Sequence, residues 1–287
     1  MIHHDSNTVP IFGSKKVIDC FIFFKEIDLL RVRLEYLGDQ IDHFIIIEAN
    51  IDFSGKPKKY YLENHVASLP FAKKIIYHKL EINKFSIPWI FKKLRWISRP
   101  HKYLWKIQDE QRDAVSITIK KNQLVADFVL FGDLDEIPNY EFVKSLCHNN
   151  YLLNKPKTLR QRLFYYHPEN AEVEEKWLGT ICAPLDQFMA FPPHQLRSMR
   201  ENFESIEGGG YHFSYFMRPK EIKDKMEAIA NVERINNFLG LTLQDIQNRV
   251  RENKDLYDRK LLFHENKVIV PDNLKKLLYK YMFWLFN

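Results

Sequence analysis

The chain has little of what staples a small fold. It contains three cysteines, Cys20, Cys147 and Cys182, odd in number, widely spaced and never in CxxC pairs. That pattern argues against a disulfide framework or a zinc ribbon and points to a reducing compartment. Glycine is scarce, at nine residues, and neither GxGxxG nor GxxxxGK followed by Ser or Thr appears. The two common glycine-rich phosphate cradles are therefore excluded. No apolar run approaches the roughly 18 residues that a membrane-spanning helix needs, and the opening stretch, MIHHDSNTVP, is polar. The expected location is the cytoplasm, at most the periphery of a membrane. There is also no internal repeat and no Pro/Gly/Ser-rich linker.

What remains is a folding composition. Of 287 residues, 45% are hydrophobic and 28% charged, the balance of a globular protein long enough to bury a core without cross-links. Lys and Arg number 43 against 37 Asp and Glu, a net +6. Seven of the basic residues (Lys84, Lys92, Lys93, Arg95, Arg99, Lys102, Lys106) lie between 84 and 106, where no acid occurs; without them the balance is 36 against 37. Basicity confined to one segment argues against a general nucleic-acid binder. Three of the five tryptophans, Trp89, Trp96 and Trp105, share that segment. Two readings stand for it: peripheral contact with an anionic membrane, or a surface helix whose aromatic face packs on the core.

Val17 to Phe24 and Phe44 to Ile47 are nearly continuous apolar runs, as in strands buried on both faces. Between them Ile27, Leu30, Leu34 and Leu37 recur at helical spacing, with Gly38 as a stop. This predicts a parallel βαβ unit. Ile75 to Leu80 predicts a third strand, residues 103 to 119 a helix, and Ala126 to Phe131 a further buried strand. The second half predicts strands at 158–166 and 186–191, a glycine-ending loop at 196–210, a helix opened by Pro219, a short helix with a Thr242/Asp245 capping box, and a last helix capped by Asn273. The expected class is α/β, with a mainly parallel sheet flanked by helices. Its divisions are a lead at 1–16, one domain at 17–270 and a C-terminal helix at 271–287.

Chemistry concentrates where the strand at 126–131 ends, in Asp133-Leu134-Asp135-Glu136. Three acids within four residues repel one another unless a cation neutralises them. Oxygen ligands of this kind suit Mn²⁺ or Mg²⁺, which would bridge to diphosphate oxygens; the bland alternative is an acidic turn. Gly208-Gly209-Gly210 precede His212, which could complete a metal site begun by Asp135, or be a strand histidine after a flexible loop. Arg112 could reach a phosphate, hold the acidic loop, or pair at the surface.

Together these pieces resemble glycosyltransferase family 17, the family of the β-1,4-mannosyl-glycoprotein β-1,4-N-acetylglucosaminyltransferases. The matching residues run in order over about 17 to 235: Asp19-Cys20-Phe21, Phe24-x-Glu26-x-Asp28-Leu29-Leu30, Arg33-Leu34, Glu48-Ala49-Asn50, Phe53-Ser54-Gly55-Lys56-Pro57, Glu110-x-x-Arg112, Asp133 to Pro138, Trp177-x-Gly179-Thr180 and Gly209 to Ser214. Tyr211 departs from the tryptophan expected at its position. The resemblance implies a GT-A-like fold and a divalent metal at Asp135. It also implies a nucleotide-sugar donor, UDP-N-acetylglucosamine first, a glycan acceptor, and inversion at the anomeric carbon. On it, Asp133, Arg112, Glu48, Asn50 and Lys56 are expected on the donor, and Asp135, Asp133 and His212 on the metal. Transfer to a hydroxyl also needs a carboxylate base, for which Glu207 and Glu136 are the candidates. Two rival readings are a phosphohydrolase of the haloacid-dehalogenase type, with Asp133 as nucleophile, and a non-catalytic carbohydrate- or membrane-binding module.

Overall fold

A computed structural model of the protein describes residues 14–83, 101–148, 151, 153–172, 177–228, 241–259, 263–265 and 270–286. The basic segment is thus outside the described residues from 84 to 100, as is the lead from 1 to 13. The chain begins with β1 (Val17–Ile22), α1 (Ile27–Leu37), β2 (His43–Ala49) and β3 (Ile75–Leu80), as the apolar runs predict. Next come α2 (His101–Lys121), β4 (Phe128–Asp133), β5 (Glu136–Pro138) and α3 (Tyr140–Cys147), the last capped by the Asn139 side chain. The second half holds β6 (Lys157–Tyr165), β7 (Asn170–Glu172), β8 (Trp177–Pro184), α4 (Leu185–Met189) and α5 (Pro193–Ser198). It closes with β9 (Glu204–Ser214), α6 (Pro219–Ala228), α7 (Leu243–Arg251), β10 (Phe263–Glu265) and α8 (Asp272–Met282).

The strands form one sheet in the order β10-β7-β6-β8-β4-β1-β2-β3, with β9 bonded to both β6 and β5. The expectation of a mainly parallel sheet holds for β3-β2-β1-β4. Beyond β4 the sheet turns antiparallel at β8, β6, β7 and β10, and only β9 runs parallel to β6. Strand alternation divides the core in two. Phe21, Phe44 and Leu130 face one side, where α1, α3 and α8 supply Leu30, Leu146 and Leu278. Cys20, Ile45 and Val129 face the other, against Ala114, Val115 and Ile119 of α2 and Phe188 of α4. The C-terminal helix thus buries Leu274, Leu278 and Met282 in the same core as the rest of the domain.

Three sequence expectations change. The span expected as a strand at 186–191 is instead helix α4 and the turn after it, because Pro184 stops β8 and the apolar run turns Phe188 onto Phe131, with ring centroids 5.5 Å apart. The span from 196 to 210 is not a loop but the end of α5 followed by β9. Its glycines let β9 press between β5 and β6: at Gly210, φ +150°, a Cβ would lie 2.3 Å from the Ile137 carbonyl oxygen. The last helix takes Pro271 as its cap, with Asn273 already inside the first turn. The Thr242/Asp245 capping box is present on α7.

One buried cation fixes the sheet's carboxyl edge. Arg33 of α1 and Asp19 of β1 are fully buried, paired at 2.8 Å (Nε–Oδ2) and 2.7 Å (Nη2–Oδ1). Arg33 Nη1 also donates to the carbonyls of Asp133, Leu134 and Glu136 at 2.8, 3.0 and 3.0 Å. The acidic turn is thereby clamped to α1. Removing one partner of such a pair leaves an uncompensated buried charge, at a cost of about 3–5 kcal/mol. Arg33→Leu should lose stability on that scale in chemical denaturation. A variant within about 1 kcal/mol of wild type would show that the turn is held by other contacts.

Candidate active site

β1 and β4 run parallel, with Ile22 beside Asp133. Their carboxyl ends therefore deliver Phe24–Glu26 and Asp133–Glu136 to one edge, where open α/β sheets bind ligands. The turn after β4 is tight because Glu136 folds back, its Oε2 accepting from the Asp133 N–H at 3.0 Å. A Cβ at Gly132 would sit 2.8 Å from that oxygen. Past the turn, β5 pairs with β9 so that Glu136 faces His212, and the Phe213 N–H donates to the Asp135 carbonyl at 2.8 Å.

These edges enclose a cavity of about 350 Å³ lined by Asp133, Asp135 and Glu26, by Arg112, Arg197, Arg200 and Lys225, and by His212. Phe53, Trp105 and Trp177 add aromatic walls. Lys225 of α6 donates from Nζ to Glu26 Oε1 at 2.9 Å and to Asp135 Oδ2 at 3.1 Å. Arg197 of α5 donates to Asp133 Oδ2 at 3.0 Å, to the Gly179 carbonyl at 2.6 Å and to Glu136 Oε1. Arg112 reaches Asp133 Oδ1 at 3.4 Å. Burial alone would raise the Asp135 carboxyl, yet Lys225 and His212 hold it far below the usual carboxylate range. Burial likewise opposes ionisation of Asp133, and Arg197 and Arg112 overcome it. Both aspartates of the turn are therefore anionic.

The structure brings Asp133, Asp135, His212 and Arg112 together around the cavity, whose lining does not include Glu136, Glu207, Glu48, Asn50 or Lys56. Glu136 is fully buried, with one oxygen on Trp177 Nε1 (2.9 Å) and Arg197 and the other on the Asp133 N–H. It holds the turn and has no oxygen turned to the cavity. Glu207 lies on an outlying part of β9, its side chain 75% exposed and paired with Arg160 at 2.6 Å. Neither carboxylate lines the cavity. Glu48 is consumed inside the fold by Lys58, Tyr77 and the N–H groups of Tyr61 and Leu62. Asn50 Oδ1 accepts from the Ile82 N–H, and exposed Lys56 closes a turn through its own N–H on Asp52. These three shape the loop after β2, which carries Phe53 to the cavity.

The residues that sequence reading missed are Lys225, Arg197, Arg200 and, as a functional group, Glu26. Lys225 and Arg197 sit in helices where nothing local separates a site cation from a solvated one. Glu26 stands within the Phe24-x-Glu26 match, the one signal that could have found it.

Asp135 Oδ2 and His212 Nε2 face each other at 3.8 Å. Trp177 lies over the imidazole with ring centroids 4.2 Å apart, and His212 Nδ1 is buried with no hydrogen-bond partner among the described residues. One carboxylate oxygen and one imidazole nitrogen are a donor set that suits Mn²⁺. No group of three or more His, Cys, Asp and Glu side chains fit for a metal occurs among the described residues. Asp135 and His212 would hold such an ion with substrate oxygens and water completing its shell and with Lys225 withdrawn from Asp135 Oδ2. Asp133 is less available as a ligand, because Arg112 and Arg197 hold its two oxygens.

Burial pushes the Glu26 carboxyl from 4.5 up to about 7, with Lys225 opposing the rise and Asp135 adding to it. The folded protein holds this proton more tightly than the unfolded chain does. Stability from this group is fully present below the unfolded value and is lost as pH rises through the folded one. In urea unfolding between about pH 5 and pH 8, wild type should lose stability relative to Glu26→Gln. Parallel curves for the two proteins would show that this carboxyl titrates normally.

No curated protein matches the chain in sequence. Solved structures similar to it include 4-diphosphocytidyl-2C-methyl-D-erythritol synthase from Anaerococcus prevotii, with 9% identity over 74% of this chain and 96% of that one and a TM-score of 0.40. The glycosyltransferase GlyE of Streptococcus pneumoniae is 11% identical over 94% of this chain and 61% of that one, with a TM-score of 0.33. A glycosyltransferase involved in glycosylation of the major capsid of PBCV-1 is 10% identical over 68% and 81%, with a TM-score of 0.27. The family model for glycosyltransferase family 17 matches residues 5–266, nearly the whole chain, and the protein belongs to that family.

Proposed function

We propose that the protein transfers a sugar from a nucleotide-diphosphate donor to a glycan hydroxyl with inversion, with UDP-N-acetylglucosamine as the first donor to test. The observation that carries this reading is the charge pattern of the cavity: Arg112, Arg197, Arg200 and Lys225 gather around the Asp133–Asp135 turn. Four cations in one partly enclosed site can neutralise a diphosphate as its bond to the sugar breaks. Asp135 and His212 would hold a divalent ion, Mn²⁺ or Mg²⁺, which when bound supplies Lewis-acid neutralisation of the same leaving group. Trp177 keeps the imidazole in place, and Trp105 and Phe53 offer faces on which a nucleobase stacks. Asp133, tied between Arg112 and Arg197, orients the two guanidinium groups and stands ready to accept from a ribose hydroxyl.

Membership of the family removes the ground for the phosphohydrolase and binding-module readings. The geometry adds to that, since an attacking Asp133 would first have to leave both of its arginines.

The reading is tested by a screen of UDP-sugars for slow hydrolysis with Mn²⁺, followed by calorimetry of UDP binding. Wild type should release UDP from one donor above the others. Asp135→Ala should lower Mn²⁺-dependent UDP affinity and turnover by about 100-fold or more, with its melting transition retained. Unchanged affinity in that variant would remove Asp135 from the metal, and no UDP release from any donor would overturn the donor class.

A further inference from the structure

A second cavity, of about 320 Å³, lies against the first and shares Phe24, Glu26 and Lys225 with it. The Glu26–Lys225 pair is the partition between them. The chain enters this partition through an unusual backbone: Lys25 holds φ +61°, a left-handed conformation that a non-glycine residue seldom takes, and Glu26 follows as the cap residue of α1. Such outliers persist where surrounding structure imposes them, often at functional sites.

The two cavities differ in charge. The first brings four cations to three carboxylates, Glu26, Asp133 and Asp135. The second has no arginine in its lining and sets Glu26, Asp28, Glu221 and Asp224 against Lys25 and Lys225. A nucleotide diphosphate is attracted to the first and repelled from the second. The other walls of the second cavity include Tyr61, Phe216 and Trp284. Aromatic faces beside carboxylate acceptors recognise a neutral, hydroxyl-bearing ring, whose C–H face packs on the aromatics while its O–H groups donate to the acids. Trp284 Nε1 is itself buried with no hydrogen-bond partner among the described residues.

Glu26 differs from the carboxylates named earlier. Glu48 and Glu136 have both oxygens engaged inside the fold, and Glu207 is distant and exposed. Glu26 gives only Oε1 to Lys225, and its Oε2 accepts no hydrogen bond from any described residue. It faces both cavities while only 8% of its side chain is exposed.

We propose that the second cavity seats one neutral sugar ring of the acceptor, with its attacking hydroxyl on Glu26. This rests on the transferase reading above. In the step, the hydroxyl oxygen bonds to the donor's anomeric carbon while the bond from that carbon to the diphosphate oxygen breaks. The electron pair leaves on the diphosphate, and the hydroxyl proton passes to the Glu26 carboxylate, then to water.

Two measurements, made with the donor that wild type hydrolyses, test the proposal. Azide attacks carbon without a proton to lose, so in Glu26→Gln the ratio of glycosyl azide to hydrolysis product should rise about 100-fold over wild type, the scale of general-base catalysis. An unchanged ratio, or loss of both products together, overturns the role of Glu26. For the seat itself, the probes are methyl α-mannoside, methyl β-galactoside and methyl β-N-acetylglucosaminide at high concentration. At least one should accelerate UDP release by wild type, and Trp284→Ala should lose that acceleration relative to its own rate in water. Acceleration by none of the three, or acceleration that survives in Trp284→Ala, overturns the seat. Failure of wild type to hydrolyse any nucleotide sugar would instead strike the donor reading.

Discussion

The guanidinium of Arg33 is the joint on which the active edge depends. It spends two nitrogens on Asp19, within the central strand, and the third on three carbonyls of the acidic turn. A planar group with five donors in fixed directions can do this, where a lysine could not. The ring of Phe21 lies 4.4 Å from the guanidinium carbon, so the charge is also packed. With the turn's backbone fixed in this way, the carboxylates of Asp133 and Asp135 line the cavity while that of Glu136 stays on the buried side.

Outside that joint the acids are held by cations from the second half of the chain. Arg197 from α5 and Lys225 from α6 each bridge two carboxylates, so the turn is charge-balanced before any ligand arrives. Such a site binds an anion by letting it share donors already oriented, which limits the reorganisation that transfer requires. The same lysine marks the boundary between a cation-rich cavity and a carboxylate-rich one.

The strands that build this edge could be read from the residues because β1, β2 and β4 are buried on both faces, and burial on both faces makes an apolar run continuous. The acidic turn was visible for the same reason: three acids directly after such a run are conspicuous. What was hidden followed from geometry that pattern does not encode. Phe188 and Met189 look alike in a strand or in one helical turn, and Pro184 decided for the helix. The glycines before His212 read as a loop, yet serve close packing of strands. Glu136 and Glu207 had the right chemistry, but one was turned inward by Trp177 and Arg197 and the other lay out on the surface with Arg160. The family resemblance carried Glu26 without its place beside Lys225, and Lys225 had no local mark.

Glu26 and Lys225 are 199 positions apart in sequence, although their side chains touch. The pair therefore ties the start of α1 to α6, so a displacement of either helix would open the partition and join the two cavities. Loss of the ammonium would leave Asp135 and Glu26 as neighbouring like charges. One contact thus governs both the electrostatic balance of the site and its division in two.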